Sequence, residues 1–268
     1  MKNLLSVVVV LTSLVSLAGP PQPKVVSTPN GDTSVMEAPM VCPSKNKTAS
    51  TLYNEGIDLM DAGDLPGAQG KFQKALELDK KYCDAMDNLG LAYRRQGNLD
   101  EAIKWYRASI AIVSKNGTAR MNLGAALRMK KDYDGAGKEY AAMMKLMPDN
   151  PEGFYGLGSV RGDQERWGDA IDPMLKAEEL YVSMKSPYVG DARKILGRAY
   201  FNVGKWEESL RYNKYVYAEF PNDPYINMRI GTTLVKLGKA AEGKKYLEVA
   251  RDSKKVELDP DVMKQAGL

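Results

Sequence analysis

Between Cys83 and Asn116 the apolar and small residues fall at helical intervals in two runs, Leu89, Gly90 and Tyr93 in the first and Ala102 and Tyr106 in the second. The polar stretch Gly97-Asn98-Leu99-Asp100-Glu101 divides them. Asp100 and Glu101 place negative charge where a second helix would start, which suits the positive end of its dipole. The pattern predicts two short helices crossing closely after a tight turn. Such a crossing needs a small residue on each side. Gly90 and Ala102 supply the facing gaps, and Leu89, Tyr93 and Tyr106 fill the rest of the seam.

The pattern recurs. A step of thirty-four residues from Gly90 reaches Gly56 upstream and Gly124 downstream, and a further step reaches Gly158, each within helical apolar spacing. A five-residue insertion around Met184-Lys185-Ser186-Pro187-Tyr188 moves the next copy to Gly197, and the interval returns to thirty-four at Gly231. Six copies in phase result. The small position of the second helix reads Ala68, Ala102, Ala136, Ala170, Ser209 and Gly243. The large position that follows reads Phe72, Tyr106, Tyr140, Met174, Asn213 and Leu247, so the last three depart from an aromatic and Asn213 is the one polar member. Leu or Ile precedes the glycine in five copies, and Glu55 does so in the first.

Leu89-Gly90, Tyr93, Ala102 and Tyr106 stand at the spacings of the tetratricopeptide repeat, and the chain resembles that family. The resemblance implies an all-α fold, a right-handed α-solenoid of six helix-turn-helix repeats at 49–82, 83–116, 117–150, 151–184, 190–223 and 224–257. Residues 258–268 fall where a seventh first helix would begin. Pro260 suits an early helical position there, and the segment is expected to cap the array. The resemblance further implies that the first helices line a concave groove contacting a peptide or a partner helix. It does not extend to the carboxylate clamp of heat-shock co-chaperones. Tyr53, Ile57, Thr118 and Asn122 stand where that clamp has other residues, and only Asn88 matches.

Ahead of the repeats, Met1-Lys2-Asn3 precedes an uncharged, apolar-rich run from Leu4 to Leu17 and then Ala18, the layout of a signal peptide at 1–18. As a helix that run would span only about 21 Å, short of a bilayer core of ~30 Å, so cleavage after Ala18 is expected, with an uncleaved anchor as the alternative. Residues 19–48 hold Pro20, Pro21, Pro23, Pro29, Pro39 and Pro43 among Ser, Thr, Gly and Asn and read as a disordered linker. Cys42 and Cys83 are the two cysteines of the chain. In an exported protein an even count points to a disulfide, and Ala49, the counterpart of Cys83 in the first repeat, lies seven residues after Cys42. Two unpaired thiols, with Cys83 simply packed, are the alternative.

Composition removes several function classes. The chain has 38 Lys and Arg against 34 Asp and Glu, a net +4, too even for a dedicated nucleic-acid binder. It has no histidine, the commonest general base and metal ligand, and no phosphate loop, nucleophile elbow or metal-spaced cysteine pair. No enzyme activity, cofactor, metal or stable membrane span after signal cleavage is expected. Candidate partner-binding residues lie on the first helices. Asn54, Asn88 and Asn122 stand two residues before the glycine in consecutive repeats, where three amides could pair with a peptide backbone or simply face solvent. Arg94, Arg95 and Arg128 form one basic group and Lys194, Arg198 and Arg229 a second, and both favour a partner carrying carboxylates. The expectation is a non-catalytic scaffold or assembly factor of the bacterial cell envelope, located in the periplasm. The alternative is an accessory subunit that presents substrates to an envelope enzyme or transporter. Two Asn-x-Thr sequons, at Asn46 and Asn116, would also permit a eukaryotic secretory setting.

Overall fold

The structure is a computed structural model that describes residues 24–26, 35–37 and 42–268. The signal-peptide segment 1–18 lies outside the described residues. Within the span read as a linker, β1 (Lys24–Val26) and β2 (Val35–Glu37) pair antiparallel with Val25 opposite Met36. Val25, Val26 and Val35 are β-branched and favour extended backbone, a local preference that the proline-rich composition of the span hides.

From residue 47 onward the described chain is all helix and turn. Six antiparallel pairs follow in order: α1 (Lys47–Asp61) with α2 (Leu65–Leu78), α3 (Cys83–Arg95) with α4 (Leu99–Ile112), and α5 (Gly117–Met129) with α6 (Tyr133–Leu146). Then come α7 (Pro151–Asp163) with α8 (Trp167–Ser183), α9 (Val189–Asn202) with α10 (Trp206–Glu219), and α11 (Pro224–Lys236) with α12 (Ala240–Ser253). Each helix packs on the next in sequence, which makes the array an α-solenoid. A short last helix, α13 (Pro260–Gln265), covers the open end by burying Val262 against Val235 and Leu247. The five-residue insertion falls at the end of α8, which runs 17 residues where the other second helices run 14.

The local chemistry explains the breaks. Asp64, Asn98 and Asp132 cap α2, α4 and α6 by accepting a backbone N–H from Gly67, Glu101 and Gly135. Each first helix ends two residues before a left-handed residue, at Gly63, Gly97, Lys131, Glu165, Gly204 and Gly238, which reverses the chain into the second helix.

Each repeat glycine faces the large residue of its own second helix. A Cβ added at Gly56, Gly90, Gly124, Gly158 or Gly231 would lie 2.6–2.9 Å from Phe72, Tyr106, Tyr140, Met174 or Leu247, inside any allowed contact. At Gly197 it would lie 3.0 Å from Asn213. The small residues of the second helices, Ala68, Ala102, Ala136, Ala170 and Ser209, are fully buried. The repeat register is therefore set by close backbone approach at six crossings. Glu55, the exception before the first glycine, pairs with Lys71 at 2.5 Å.

Cys42 and Cys83 are joined by a disulfide, with Cα atoms 5.7 Å apart. Cys42 also donates its backbone N–H to the Asp84 carboxylate at 3.2 Å, and Ser44 Oγ donates to Asp79 at 2.5 Å. Residues 42–46, read as linker, are thus fastened to the turn between α2 and α3. The sequon residue Asn116 is fully buried as the cap of α5, bonded to Asp87 and Ser109, so the folded chain offers no glycan acceptor there.

Candidate functional site

Beyond pairing with its second helix, each first helix also touches the first helix of the next repeat, from α1 on α3 through to α11 on α13. Second helices show no comparable packing on one another. The first helices consequently lie side by side on the inner, more closely spaced layer. The surface they form is the one where the family resemblance implies a groove.

The nine candidate residues do not share one environment. Asn54 is exposed on α1. Asn88 is half-buried and donates through Nδ2 to the Tyr53 hydroxyl and the Asp84 carbonyl, both at 3.0 Å. Asn122 is 5% exposed and faces the interior. The row of three accessible amides is therefore not formed. Arg94 is 2% exposed and close enough to act electrostatically on Tyr140, so it too belongs to the interior, and Arg95 is half-buried beside it in sequence. A first helix inside a solenoid is covered by second helices on two sides and by its first-helix neighbours. Polar positions that would be surface on an isolated helix pair are buried as a result.

The other four candidates converge. Arg128, Lys194, Arg198 and Arg229 line one cavity of about 450 Å³ that spans repeats three to six. Its apolar wall includes Trp167, from the start of α8, and Phe220, which follows α10. Two carboxylates, Asp163 and Asp223, share the lining with the four cations, which leaves the cavity electropositive. Arg128 is paired with Asp163 at 2.5 Å. Burial pulls its guanidinium pKa down, but the hydrogen bond and charge of Asp163 outweigh burial and raise it. Lys194 pairs with Asp191 at 3.1 Å and lies 4.7 Å over the Phe220 ring. Arg198 lies 4.5 Å over Trp167, an arrangement that orients the guanidinium without neutralising it. Arg229 donates through Nε to Asn213 Oδ1 at 2.9 Å. Burial, opposed by Asp223 and reinforced by Arg198, pushes its pKa down to about 10.

Trp167, Phe220, Asp163 and Asn213 are site residues that sequence reading did not assign. Only Asn213 carried a signal, as the polar member of an otherwise apolar repeat position. The others come from the ends of different helices and are brought together only by stacking.

A buried acid sits on the same layer. The Asp87 carboxyl is held well above the usual carboxylate range, at about 7, chiefly by burial. Hydrogen bonds from Ser109 and Asn116 oppose the shift and Asp84 adds to it. Asn116 Nδ2 donates to Asp87 Oδ2 at 2.7 Å, and Asp87 Oδ1 has no partner among the described residues. Because the folded state binds this proton more tightly than the unfolded state, stability is expected to fall as pH rises from about 4 to about 7, by up to roughly 4 kcal/mol at about 1.4 kcal/mol per unit. Asp87→Asn should remove this component and leave the variant more stable than the parent at pH 8. Urea unfolding of both at pH 5 and pH 8 is the check. An equal pH response in the two proteins would show that Asp87 does not carry a shifted proton.

Residues 53–117 match the family model described as tetratricopeptide repeat. No curated protein matches the chain. Among solved structures, a tetratricopeptide repeat protein from Parabacteroides merdae superposes with a TM-score of 0.61 at 23% identity, covering 81% of this chain and 83% of that one. PilF of Pseudomonas aeruginosa superposes with a TM-score of 0.65 at 16% identity, covering 82% and 96%. YrrB, described as a tetratricopeptide repeat protein with an unusual peptide-binding site, gives 0.61 at 22% identity, covering 73% and 97%. With the six glycine crossings, these findings place tetratricopeptide repeats at residues 53–117 and give the described helical array the tetratricopeptide fold, a fold suited to protein–protein interaction.

Among the described residues no helix is long and apolar enough to cross a membrane, and no group of three or more Cys, Asp or Glu is placed to hold a metal ion.

Proposed function

We propose that the protein is a non-catalytic interaction scaffold or assembly factor of a bacterial cell envelope, holding an extended segment or helix of a partner protein in the groove of its first helices. The observation that carries this reading is the cavity across repeats three to six. Polar, aromatic and cationic side chains from four successive first helices line it, as recognition of one continuous partner segment requires. The excess of cations over carboxylates there favours an acidic partner. The envelope address rests on the basic start and short apolar run at 1–18 and on the Cys42–Cys83 disulfide, which suits an oxidising compartment. The solved structures named PilF and YrrB are compatible with such a role through their fold alone.

The test places a photo-crosslinking amino acid at Tyr225, exposed at the cavity, or at Lys74 or Lys214, exposed on second helices, and irradiates intact source cells. A single adduct from Tyr225, absent from the other two and recovered in the periplasmic fraction, is the expected result. Adducts arising only from Lys74 or Lys214 would move the interaction to the outer surface, and recovery in the cytosol would reject the envelope address.

A further inference from the structure

Asn213 breaks the repeat pattern in a fully buried place, where the other copies bury Phe72, Tyr106, Tyr140, Met174 and Leu247. A buried amide destabilises a seam unless its hydrogen bonds are met, so its presence needs a reason. Here the donors and the acceptor are all used. Nδ2 donates to the Gly197 carbonyl at 3.1 Å and to the Ser209 carbonyl at 2.9 Å, and the Ser209 hydroxyl lies 3.2 Å away. Ser209 is itself a departure from the alanine of the earlier repeats, and its hydroxyl lies 3.4 Å from that of Thr233 on α11. The amide is thereby fixed with Oδ1 directed at Arg229 Nε.

Arg229 stands two residues before its repeat glycine, the register that holds Asn54, Asn88 and Asn122 in the first three repeats. Among the described residues its one hydrogen bond is the bond from Nε to Asn213, so the two terminal nitrogens at the cavity wall are left to a ligand. Arg198 lines the same cavity, has no ion pair among the described residues and is close enough to Arg229 to depress its basicity. Arg128 and Lys194, by contrast, already have Asp163 and Asp191. Asp223 lies close enough to act on Arg229 but forms no ion pair with it among the described residues, its carboxylate accepting the Ile226 N–H at 2.9 Å instead, so two guanidiniums oriented by an amide and an aromatic ring match the forked geometry of an incoming carboxylate. Trp167 and Phe220 beside them offer contact to a large apolar side chain.

We propose that the part of the cavity formed by repeats four to six is a carboxylate-recognition site, in which Asn213 acts as a positioning residue for Arg229 beside Arg198. It takes a Glu or Asp side chain of an acidic peptide segment next to a bulky apolar residue. The proposal deepens, and rests on, the reading of the groove as a protein-binding surface.

The test uses fluorescence anisotropy of the full chain with a fluorescein-labelled peptide of repeated Glu-Leu-Ser and its Gln-Leu-Ser counterpart. The parent protein should bind the Glu peptide more tightly than the Gln peptide by about ten- to a hundredfold, the range of a hydrogen bond to a charged group. Arg198→Ala and Arg229→Ala should each remove most of that preference. Asn213→Met, which borrows the residue of repeat four, should remove it too while keeping helicity and melting temperature at or above those of the parent. Equal binding of the two peptides, weakened by Trp167→Ala, would overturn carboxylate recognition and leave the groove reading intact. No binding of either peptide would also overturn it, the groove then being judged by crosslinking at Tyr225. A preference lost in both arginine variants but kept in Asn213→Met would overturn the role of Asn213 and retain the site. The arginine variants keep the test decisive if Asn213→Met does not fold.

Discussion

Replacing Cys42 and Cys83 by serine is expected to lower the unfolding free energy by about 4 kcal/mol. The disulfide closes a span of 41 residues that contains the whole of α1 and α2, and the chain-entropy relation for a loop of that length gives this magnitude. The effect should be local. In a solenoid each repeat is held by its neighbours alone, and among the described helices the first repeat packs on a repeat on one side only, so the covalent tie to the first residue of α3 adds to that single contact. The hydrogen bonds from Cys42 N–H to Asp84 and from Ser44 to Asp79 cannot hold the segment as firmly once the sulfurs are separated. Hydrogen exchange should accordingly show α1 and α2 losing protection in the serine variant, with α9 to α12 unchanged. Urea unfolding of the parent with and without reductant provides the thermodynamic measure. A midpoint indifferent to both reductant and substitution would mean that the first repeat needs no such tie.

Ala102→Leu is expected to cost on the order of 1 to 3 kcal/mol by overpacking, and so to lower the melting temperature by several degrees in a chain of this length. Ala102 is fully buried at the crossing of α3 and α4, where the added atoms have nowhere to go. Tyr106, one turn along α4, already fills the space over Gly90 so closely that a Cβ there would lie 2.7 Å from its ring. The exposed Lys104 on the same helix is the control, since surface substitutions usually shift stability by no more than about 0.5 kcal/mol. Thermal melts of Ala102→Leu and Lys104→Leu side by side settle the point. Equal melting temperatures would show that α3 and α4 do not cross at Ala102.

The same crossings show how far the chain could be read from its residues alone. Close approach of two helices is a local demand, met by one glycine on the first helix and one small residue on the second. It therefore leaves a periodic trace that a single sequence displays: Gly56 with Phe72, Gly90 with Tyr106, and so on to Gly231 with Leu247. Asn213 fell outside that trace because a polar residue at a seam is intelligible only with its partners, and Arg229 comes from the next repeat. The strand pair β1 and β2 was obscured because composition averages over a span in which three consecutive residues suffice for a strand.

What the sequence by itself determined is the repeat length, the register of the helix pairs, the capping segment and the list of cations available to a partner. Only the tertiary structure decided which of those cations meet. Periodicity places a residue on a helix face but says nothing of how many neighbours cover that face. Stacking buried Asn88, Asn122 and Arg94 to different depths and paired Arg128 with an aspartate one repeat further on. It also brought Arg198 and Arg229, from two different repeats, to one cavity wall. The physical reason is that burial and ion pairing in a solenoid are properties of successive repeats packed together, so they arise from contacts between residues far apart in the chain.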